Sequence, residues 1–264
     1  MFLWLRLLTG LMVIQVFPIV VVDGWEVAGE EQLGSKPKRW LKAPKTGELW
    51  LLKDVTFSKP KVGASYAKGD DWSERIASAI AQFMGLPAAR TELATYGDDD
   101  PRPDGVVSHK IHSDNEQLEH GDVLLAETGV AVSRRSRDGY TLDAIRRALQ
   151  AGDNGRIDPP NSGPMSAWEI FVGYLVLDAL IGNTDRHEEN WAAVSGREGR
   201  RLAPTYDHAS SLGFKLADSQ RQKRLITNDD GYSVEAYARR ARSQYADRPS
   251  PHDVACDGLR PYLT

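Results

Sequence analysis

The feature that most constrains the fold is a long apolar run, SAWEIFVGYLVLDALI, at residues 166–181. The run predicts a buried helix, and Ser166 and Glu169 have the S-x-x-E spacing of a capping box that starts a helix. The polar stretch GNTDRHEENW follows directly at residues 182–191. A surface loop can be this polar, so the spacing of its acid and amide side chains is more informative than its polarity.

The composition describes a soluble globular protein. The chain has 264 residues, of which 41% are hydrophobic, and a net charge of -4, which allows one large domain or two lobes. The slightly acidic balance gives no general attraction to nucleic acid or to an anionic membrane. The basic cluster Arg134, Arg135 and Arg137 is interpreted as a solvated loop. Cys256 is the only cysteine, which excludes a disulfide framework and favours a reducing compartment.

The first 22 residues are strongly apolar. Only sixteen residues separate Arg6 from Asp23, fewer than the roughly 20 that a transmembrane helix needs, and Pro18 interrupts them. No A-x-A-like cleavage site follows. We therefore predict that FPIVVV forms the first strand, that residues 1–16 are an extension from a start site assigned too early, and that the protein is cytoplasmic. A membrane anchor over residues 1–22 and a cleaved signal peptide are the alternatives.

Short runs of β-branched and aromatic residues predict strands in the first half of the chain. KRWLKAP and ELWLLKDV are joined by KTG, which is a hairpin pattern, and RTELATY, GVVSHKIH and VLLAE are predicted as further strands. One helix is predicted among them, because DWSERIASAIAQFMG has apolar residues at helical spacing from Trp72 to Phe83. This helix should end at Gly85, before Pro87.

The second half of the chain is predicted to be mostly helical. LDAIRRALQA predicts a helix before the long apolar run, and two short helices are expected after Asp207. WAAVS and RRLAP, separated by GREG, predict a hairpin. The pattern favours an α+β architecture of two lobes: a strand-rich lobe over residues 17–127 and a helical lobe over residues 128–264, connected near residues 126–128.

Asp185 and Asn190 are separated by four residues, and His187 lies between them. Catalytic loops of protein kinases have this Asp-x4-Asn order, in which the Asp accepts the proton of the attacking hydroxyl and the Asn holds Mg²⁺. The spacing alone is weak evidence, because both residues are common in loops. His187 is either a structural residue that hydrogen-bonds the loop or a group that faces the transferred phosphate or orients Asp185, and a zinc ligand is disfavoured because no second ligand lies four residues away. Asp178, on the preceding helix, is predicted to be a buried acid that holds the loop backbone, which is support and not catalysis.

Asp207, in PTYDHASS, is the candidate for a second magnesium ligand. It lies 17 residues beyond Asn190, after the predicted hairpin. A carboxylate at this point can bridge Mg²⁺ to phosphate oxygens, because hard cations prefer oxygen ligands. The alternative is a turn aspartate that caps residues 209–211.

Lys53 interrupts the otherwise apolar strand ELWLLKDV. A lysine in this position predicts a cation that binds nucleotide phosphates, and burial would require an acidic partner. Glu74, 21 residues later in the first turn of the predicted helix, is the candidate partner. The alternative is an edge-strand lysine that faces solvent and a glutamate placed favourably at a helix start.

GEEQLGSK at residues 29–36 superficially matches a P-loop. In that motif a Lys precedes Ser or Thr, whereas Ser35 precedes Lys36 here, and Pro37 opens a strand-like segment instead of a helix. These differences argue against a P-loop NTPase. We predict instead a glycine hairpin loop in which Gly34, Ser35 and Lys36 lie over the nucleotide phosphates. Ser35 is also a hypothetical autophosphorylation site.

TDRHEEN, followed by PTYDHASS, resembles the catalytic and metal-binding segments of HipA-like kinases, a branch of the protein-kinase-like fold. The D-R-H-x-x-N string is also similar to the catalytic loop of phosphatidylinositol 3- and 4-kinases. The order of elements matches from roughly Val20 to Tyr245. TYDHA stands where lipid kinases usually have D-F-G, which favours the HipA-like branch.

The resemblance implies a two-lobed protein-kinase-like fold and a role for each candidate residue. Asp185 would be the catalytic base, and His187 would lie near the phosphate. Asn190 and Asp207 would hold Mg²⁺, and Lys53 would contact the phosphates of ATP.

The expected activity is that of an ATP- and Mg²⁺-dependent kinase. A protein serine or threonine is the favoured acceptor, and a small-molecule hydroxyl is left open. A phosphatidylinositol-type lipid kinase is one alternative. A non-catalytic pseudokinase or truncated remnant is another, because the chain ends soon after Tyr262 and HipA-like proteins normally have a longer helical lobe. No nucleic-acid partner is expected, and membrane contact and oligomeric state are left open.

Overall fold

The structure is a computed structural model that describes residues 3–8, 11–31, 38–59, 64–97, 103–151, 156–161 and 163–263. The predicted glycine loop with Gly34, Ser35 and Lys36 lies outside the described residues.

The described part of the chain contains strands and helices in an α+β arrangement. The strands are β1 (Leu3–Leu8), β2 (Leu11–Val16), β3 (Ile19–Val21), β4 (Glu26–Glu31), β5 (Lys38–Lys42), β6 (Leu49–Asp54), β7 (Phe57–Ser58), β8 (Tyr66–Ala67), β9 (Thr91–Thr95), β10 (Gly105–His109), β11 (Gln117–His120), β12 (Ala192–Gly196) and β13 (Gly199–Leu202). The helices are α1 (Asp70–Phe83), α2 (Gly121–Glu127), α3 (Leu142–Ala151), α4 (Ala167–Ile181), α5 (Asp218–Ile226), α6 (Val234–Arg240) and α7 (Pro251–Leu259), and 3-10 turns lie at Asp230–Tyr232 and Arg260–Tyr262.

The strand-rich lobe is built on a sheet with the order β3-β9-β10-β6-β5-β4. Side chains alternate along β6, because successive residues of a strand point to opposite faces. Trp50 and Leu52 are buried in an apolar cluster on one face, and Leu51 and Lys53 face a cleft on the other. The predicted hairpin of β5 and β6, and the predicted strands β9 and β10, are confirmed.

Helix α1 packs against β9, β10 and α4 and confirms the helix predicted between the strands. Its inner side buries Glu74, Ala77 and Ala81. The helix is followed by Gly85, which has φ +75° and so reverses the chain in a conformation that glycine adopts without strain. Asp70, in the acidic first turn of α1, lines the cleft.

Helix α4 confirms the predicted buried helix, which starts at the capping box and ends at Ile181. Ser166 Oγ accepts a hydrogen bond from the backbone N–H of Glu169 (3.3 Å), and the Glu169 carboxylate accepts one from the backbone N–H of Ser166 (2.7 Å). Gly182 ends the helix in the left-handed region, with φ +63°. Phe171, in the middle of the helix, is fully buried. The polar loop at residues 183–191 thus starts from a fixed point in the core.

Some predicted elements are wrong. VLLAE is not a strand but belongs to α2, where Leu124 and Leu125 are both buried; adjacent residues can share the buried side of a helix but not one face of a strand. Periodicity cannot assign so short an apolar run. The polar strands β4 and β11 were not predicted. Three helices, instead of two, follow Asp207 in the described part of the chain.

Strands β1 and β2 pair with each other in the antiparallel direction, and neither pairs with another described strand. The next strand, β3, lies within FPIVVV, so the predicted strand is confirmed, but β1 and β2 precede it and the prediction that it is the first strand was wrong. No helix of the described residues has the length and apolar character needed to cross a membrane.

The predicted fold class is confirmed: a strand-rich lobe is joined to a mostly helical one. The division at residue 127 stays a prediction, and β11, which precedes it, pairs with β12.

Candidate active site

A cleft of about 680 Å³ lies between the sheet and the loop that follows α4. Five of the predicted site residues line it: Lys53, Asp185, His187, Asn190 and Asp207. They come from β6, from the loop after α4 and from the segment after β13. The fold therefore brings together side chains that are up to 154 residues apart in sequence.

A buried ion pair supports the loop after α4. Arg186 Nε and Nη2 each donate a hydrogen bond of 2.8 Å to the carboxylate of Asp178, and Asn183 Nδ2 donates a third at 2.8 Å. The Asp178 and Arg186 side chains are 5% and 2% exposed. Arg186 Nη1 also donates to the backbone oxygen of Asn190 at 2.8 Å. The prediction that Asp178 is a buried acid that supports this loop is confirmed, but the prediction that it holds the loop backbone was wrong, because its carboxylate binds the side chains of Asn183 and Arg186.

Asn190 is tied back to its own loop. Its Nδ2 donates a 2.7 Å hydrogen bond to the backbone oxygen of Asp185. Because the amide nitrogen is engaged in this way, the amide oxygen Oδ1 is the end of the side chain that is available to a cation. The hydrogen bond also fixes the distance between the two residues that the Asp-x4-Asn spacing singled out.

Asp207 has an unusual backbone conformation and a cationic neighbour. Its φ of +57° lies in the left-handed region, which residues other than glycine rarely adopt and which is concentrated at functional sites. Oδ1 accepts a hydrogen bond of 2.8 Å from Lys53 Nζ, and Oδ2 has no hydrogen-bond donor among the described residues. Burial opposes ionisation, but the charges of Lys53 and Lys38 outweigh it and hold the pKa of Asp207 well below its usual range.

Lys53 lies closer to Asp207 than to its predicted partner Glu74. The distance from Nζ to the nearest oxygen is 2.8 Å for Asp207 and 4.0 Å for Glu74. Burial lowers the pKa of Lys53, but the carboxylates of Asp207 and Glu74 outweigh this effect and raise it, so the lysine stays charged. Burial raises the pKa of Glu74, whose side chain is 1% exposed. The predicted pair exists as an ion-pair contact, with Asp207 as the stronger partner.

Asp185 is held at both carboxylate oxygens. Ser210 Oγ donates to Oδ2 at 3.3 Å, and Gln244 Nε2 donates to Oδ1 at 3.3 Å. Burial raises the pKa of Asp185, the nearby Asp207 carboxylate raises it further, and His187 opposes the shift. A carboxylate with a raised pKa is a better proton acceptor than an ordinary one.

His187 has a loop-supporting contact and also lines the cleft. The backbone N–H of Glu189 donates to His187 Nδ1 at 3.2 Å. Nδ1 is therefore an acceptor, which places the proton of the neutral ring on Nε2. The structure thus shows a hydrogen bond that supports the loop, and the phosphate-facing role of His187 stays a prediction.

The basic cluster of the sequence does not behave as one solvated loop. Arg137 is 5% exposed and forms a buried ion pair with Glu188, which is a bidentate contact of the kind arginine favours. The side chain of Arg134 is 85% exposed and lies 3.2 Å from Glu189. The interpretation as a solvated loop was therefore wrong for Arg137. Three nearby arginines in the sequence do not indicate that one of them packs beside the loop at residues 183–191.

Asp207 and Asn190 carry oxygen atoms that could bind a magnesium ion together with a phosphate ligand. Among the described residues, no group of three or more His, Cys, Asp or Glu could hold a metal by itself. Mg²⁺ is usually bound by one or two protein oxygens together with phosphates and water. The free Oδ2 of Asp207 and the available Oδ1 of Asn190 supply such a pair on the wall of one cleft.

Ser210 and Gln244 were not predicted from the sequence. Ser210 lies in PTYDHASS, three residues after Asp207, so the motif segment itself was the available signal. Gln244 lies 59 residues beyond Asp185 in a segment without a motif, and only the fold connects the two.

The comparisons with known proteins point to one family. The HipA-like C-terminal domain family matches residues 31–253. The serine/threonine-protein kinase CtkA of Helicobacter pylori is 28% identical over 193 residues, which are 72% of this chain and 54% of that protein, so the chain spans about half the length of this curated relative.

Two solved structures are similar to the fold. The crystal structure of a Helicobacter pylori proinflammatory kinase CtkA has a TM-score of 0.67 at 20% identity and covers 93% of this chain and 83% of its own. A Shewanella oneidensis MR-1 HipA complex with HipB and operator DNA has a TM-score of 0.47 at 13% identity, with coverage of 93% and 54%. The first likeness shows a kinase-like fold. Since the family match spans most of the chain, the protein belongs to the HipA-like C-terminal domain family.

Proposed function

We propose that the protein is an ATP- and Mg²⁺-dependent kinase that transfers the γ-phosphoryl group to a hydroxyl, with a protein serine or threonine as the favoured acceptor. The observation that carries the proposal is the 2.8 Å contact between Lys53 and Asp207 in the same cleft as Asp185 and Asn190. Phosphoryl transfer depends on positioning and charge neutralisation, and these are the residue types that supply both. The similarity to the serine/threonine kinase CtkA supports the reaction class.

Each residue has a distinct role in this proposal. Asp185 accepts the proton of the acceptor hydroxyl, since it is a cleft-lining carboxylate with a raised pKa. Asp207 and Asn190 Oδ1 hold Mg²⁺, which when bound neutralises charge on the phosphates. Lys53 binds the phosphates, and Glu74 keeps it charged and oriented from behind.

The rest of the cleft suits the base of a nucleotide. Leu51, Val106, Ile111 and Leu118 line it together with the charged groups. Nucleotide sites combine an apolar surface for the ring with a few polar groups that fix orientation. An apolar lining beside a lysine and carboxylates is therefore consistent with ATP as the phosphate donor.

Thermal unfolding with and without Mg²⁺ and ATP tests nucleotide binding. Ligand at 100 times its Kd stabilises the folded state by about 2.7 kcal/mol, so the Tm of the parent protein should rise in a magnesium-dependent way. Lys53→Met should lose most of this rise. Lys42→Met is the matched control, because Lys42 is exposed on the neighbouring strand β5. A parent protein whose Tm does not respond would contradict the proposal and would identify a non-catalytic relative.

Transfer itself is tested with ATP labelled in the γ-phosphate. Protein substrates rich in serine and threonine should become labelled, and phosphoinositide vesicles should not. Labelling of the vesicles alone would replace the proposed acceptor with a lipid.

A further inference from the structure

Gln244 lies in the segment between α6 and α7, far in sequence from the loop that it contacts. Its Nε2 is 3.3 Å from Asp185 Oδ1 and 3.4 Å from the backbone oxygen of Thr184. Ser210 contacts the other carboxylate oxygen, Oδ2. The Asp185 carboxylate therefore has one neutral donor on each oxygen, and the two donors come from different segments of the chain.

The backbone of Gln244 is fixed on both sides. Arg137 Nε donates to its backbone oxygen at 2.8 Å, and the guanidinium of Arg137 is bound in turn to Glu188 of the loop. The neighbouring residues are anchored as well. Ser243 is 5% exposed, and Tyr245 stacks on another tyrosine ring with a centroid distance of 4.8 Å. Gln244 is thus presented to Asp185 from a rigid support.

We propose that Gln244 is a positioning residue, which holds the Asp185 carboxylate in the orientation that receives the proton of the acceptor hydroxyl. The inference rests on the proposed kinase function. An amide can restrain the carboxylate without adding a charge. A cation in the same place would form an ion pair and stabilise the ionised carboxylate, which would make it a weaker base. The charged groups that already act on Asp185 are His187, Asp207 and Lys215.

Two substitutions separate positioning from simple structural support, with magnesium-dependent release of ADP from ATP as the assay. Gln244→Ala should lower kcat about 10- to 100-fold, the cost of a misplaced reacting group, and leave KM for ATP nearly unchanged. Gln244→Glu places a second carboxylate beside Asp185. Like charges at this separation raise the pKa of the catalytic base Asp185, so the acid limb of the pH–rate profile should move to higher pH.

Gln222→Ala is the control, because Gln222 is exposed on α5. Unchanged kcat and an unchanged acid limb in both Gln244 variants would overturn the proposal, even if their Tm values fell. A parent protein without ATP turnover would instead refute the kinase function. The contact is then tested by a crystal structure of the parent protein, in which the Gln244 amide should lie within hydrogen-bond distance of the Asp185 carboxylate, and an amide turned away from it would overturn the positioning role.

Discussion

Two carboxylates seven residues apart, Asp178 and Asp185, have opposite surroundings. Asp178 is buried and receives three hydrogen bonds of 2.8 Å, two of them from the guanidinium of Arg186. Asp185 lies on the cleft wall, and its two side-chain hydrogen bonds are both 3.3 Å long. The adjacent loop residues Asp185 and Arg186 therefore have different roles. Arg186 binds the buried carboxylate of Asp178, whereas the carboxylate of Asp185 lines the cleft.

The difference shows how the hydrogen bonding of a carboxylate relates to its role. A buried charge that is fully paired is locked in place, and removing its partner is costly. A carboxylate with long hydrogen bonds and a raised pKa binds a proton more readily. The pair of Asp178 and Arg186 is accordingly a support, and Asp185 is the group that remains available for chemistry.

The largest expected effect is the loss of ATP turnover in Asp185→Asn. General-base catalysis contributes about 100- to 10,000-fold, so kcat should fall by this factor, measured as ADP release. The affinity for ATP, measured by calorimetry, should stay close to that of the parent. The substitution keeps the shape of the side chain and removes only the proton acceptor.

The Tm of Asp185→Asn at neutral pH should be unchanged or higher. The folded-state pKa of Asp185 is raised, so its ionised form above that pKa opposes folding, and the amide removes this penalty. A parental kcat, or a large fall in Tm, would break the distinction between the two carboxylates.

The next largest effect is on stability, in Asp178→Ala. This substitution leaves the buried Arg186 without its carboxylate. Unpairing a buried charge costs about 3–5 kcal/mol in the free energy of unfolding, which is measured by urea denaturation. Asp218→Ala is the control, because Asp218 forms an ion pair with Arg221 while its own side chain is 97% exposed. Equal losses in the two variants would mean that the buried pair is not a special support.

The sequence predicted those residues of the site that can be recognised from their neighbours in the chain. The Asp-x4-Asn spacing and the buried helix before it locate Asp185 and Asn190, and Lys53 is conspicuous because a charge interrupts an apolar strand. The fold brings these residues to one cleft, although their catalytic roles stay predictions. Glu74 was predicted as the acidic partner of Lys53 because the start of a helix soon after a strand can be recognised in the sequence.

What the sequence did not predict depends on long-range packing. Gln244 has no motif and reaches Asp185 only through the path of the chain between α6 and α7. The arginine cluster gave no sign that Arg137 would be buried and Arg134 exposed. The apolar run VLLAE is short enough to suit a strand or a helix, and its packing in the core decides for α2.

The smallest effect is expected for the ion pair of Arg134 and Glu189. Glu189 belongs to the loop at residues 183–191, but the side chain of Arg134 lies in solvent. Its side chain is 85% exposed, and exposed pairs contribute only about 0.2–1 kcal/mol, since water screens the charges and ordering two long side chains costs entropy. A double-mutant cycle of Arg134→Ala and Glu189→Ala should give a coupling energy in this range at low salt. The coupling should decrease further at 1 M salt, where the screening length is about 3 Å. A coupling energy as large as the loss in free energy of unfolding in Asp178→Ala would contradict this view. It would mean that an ion pair stabilises the loop equally well whether or not it is buried.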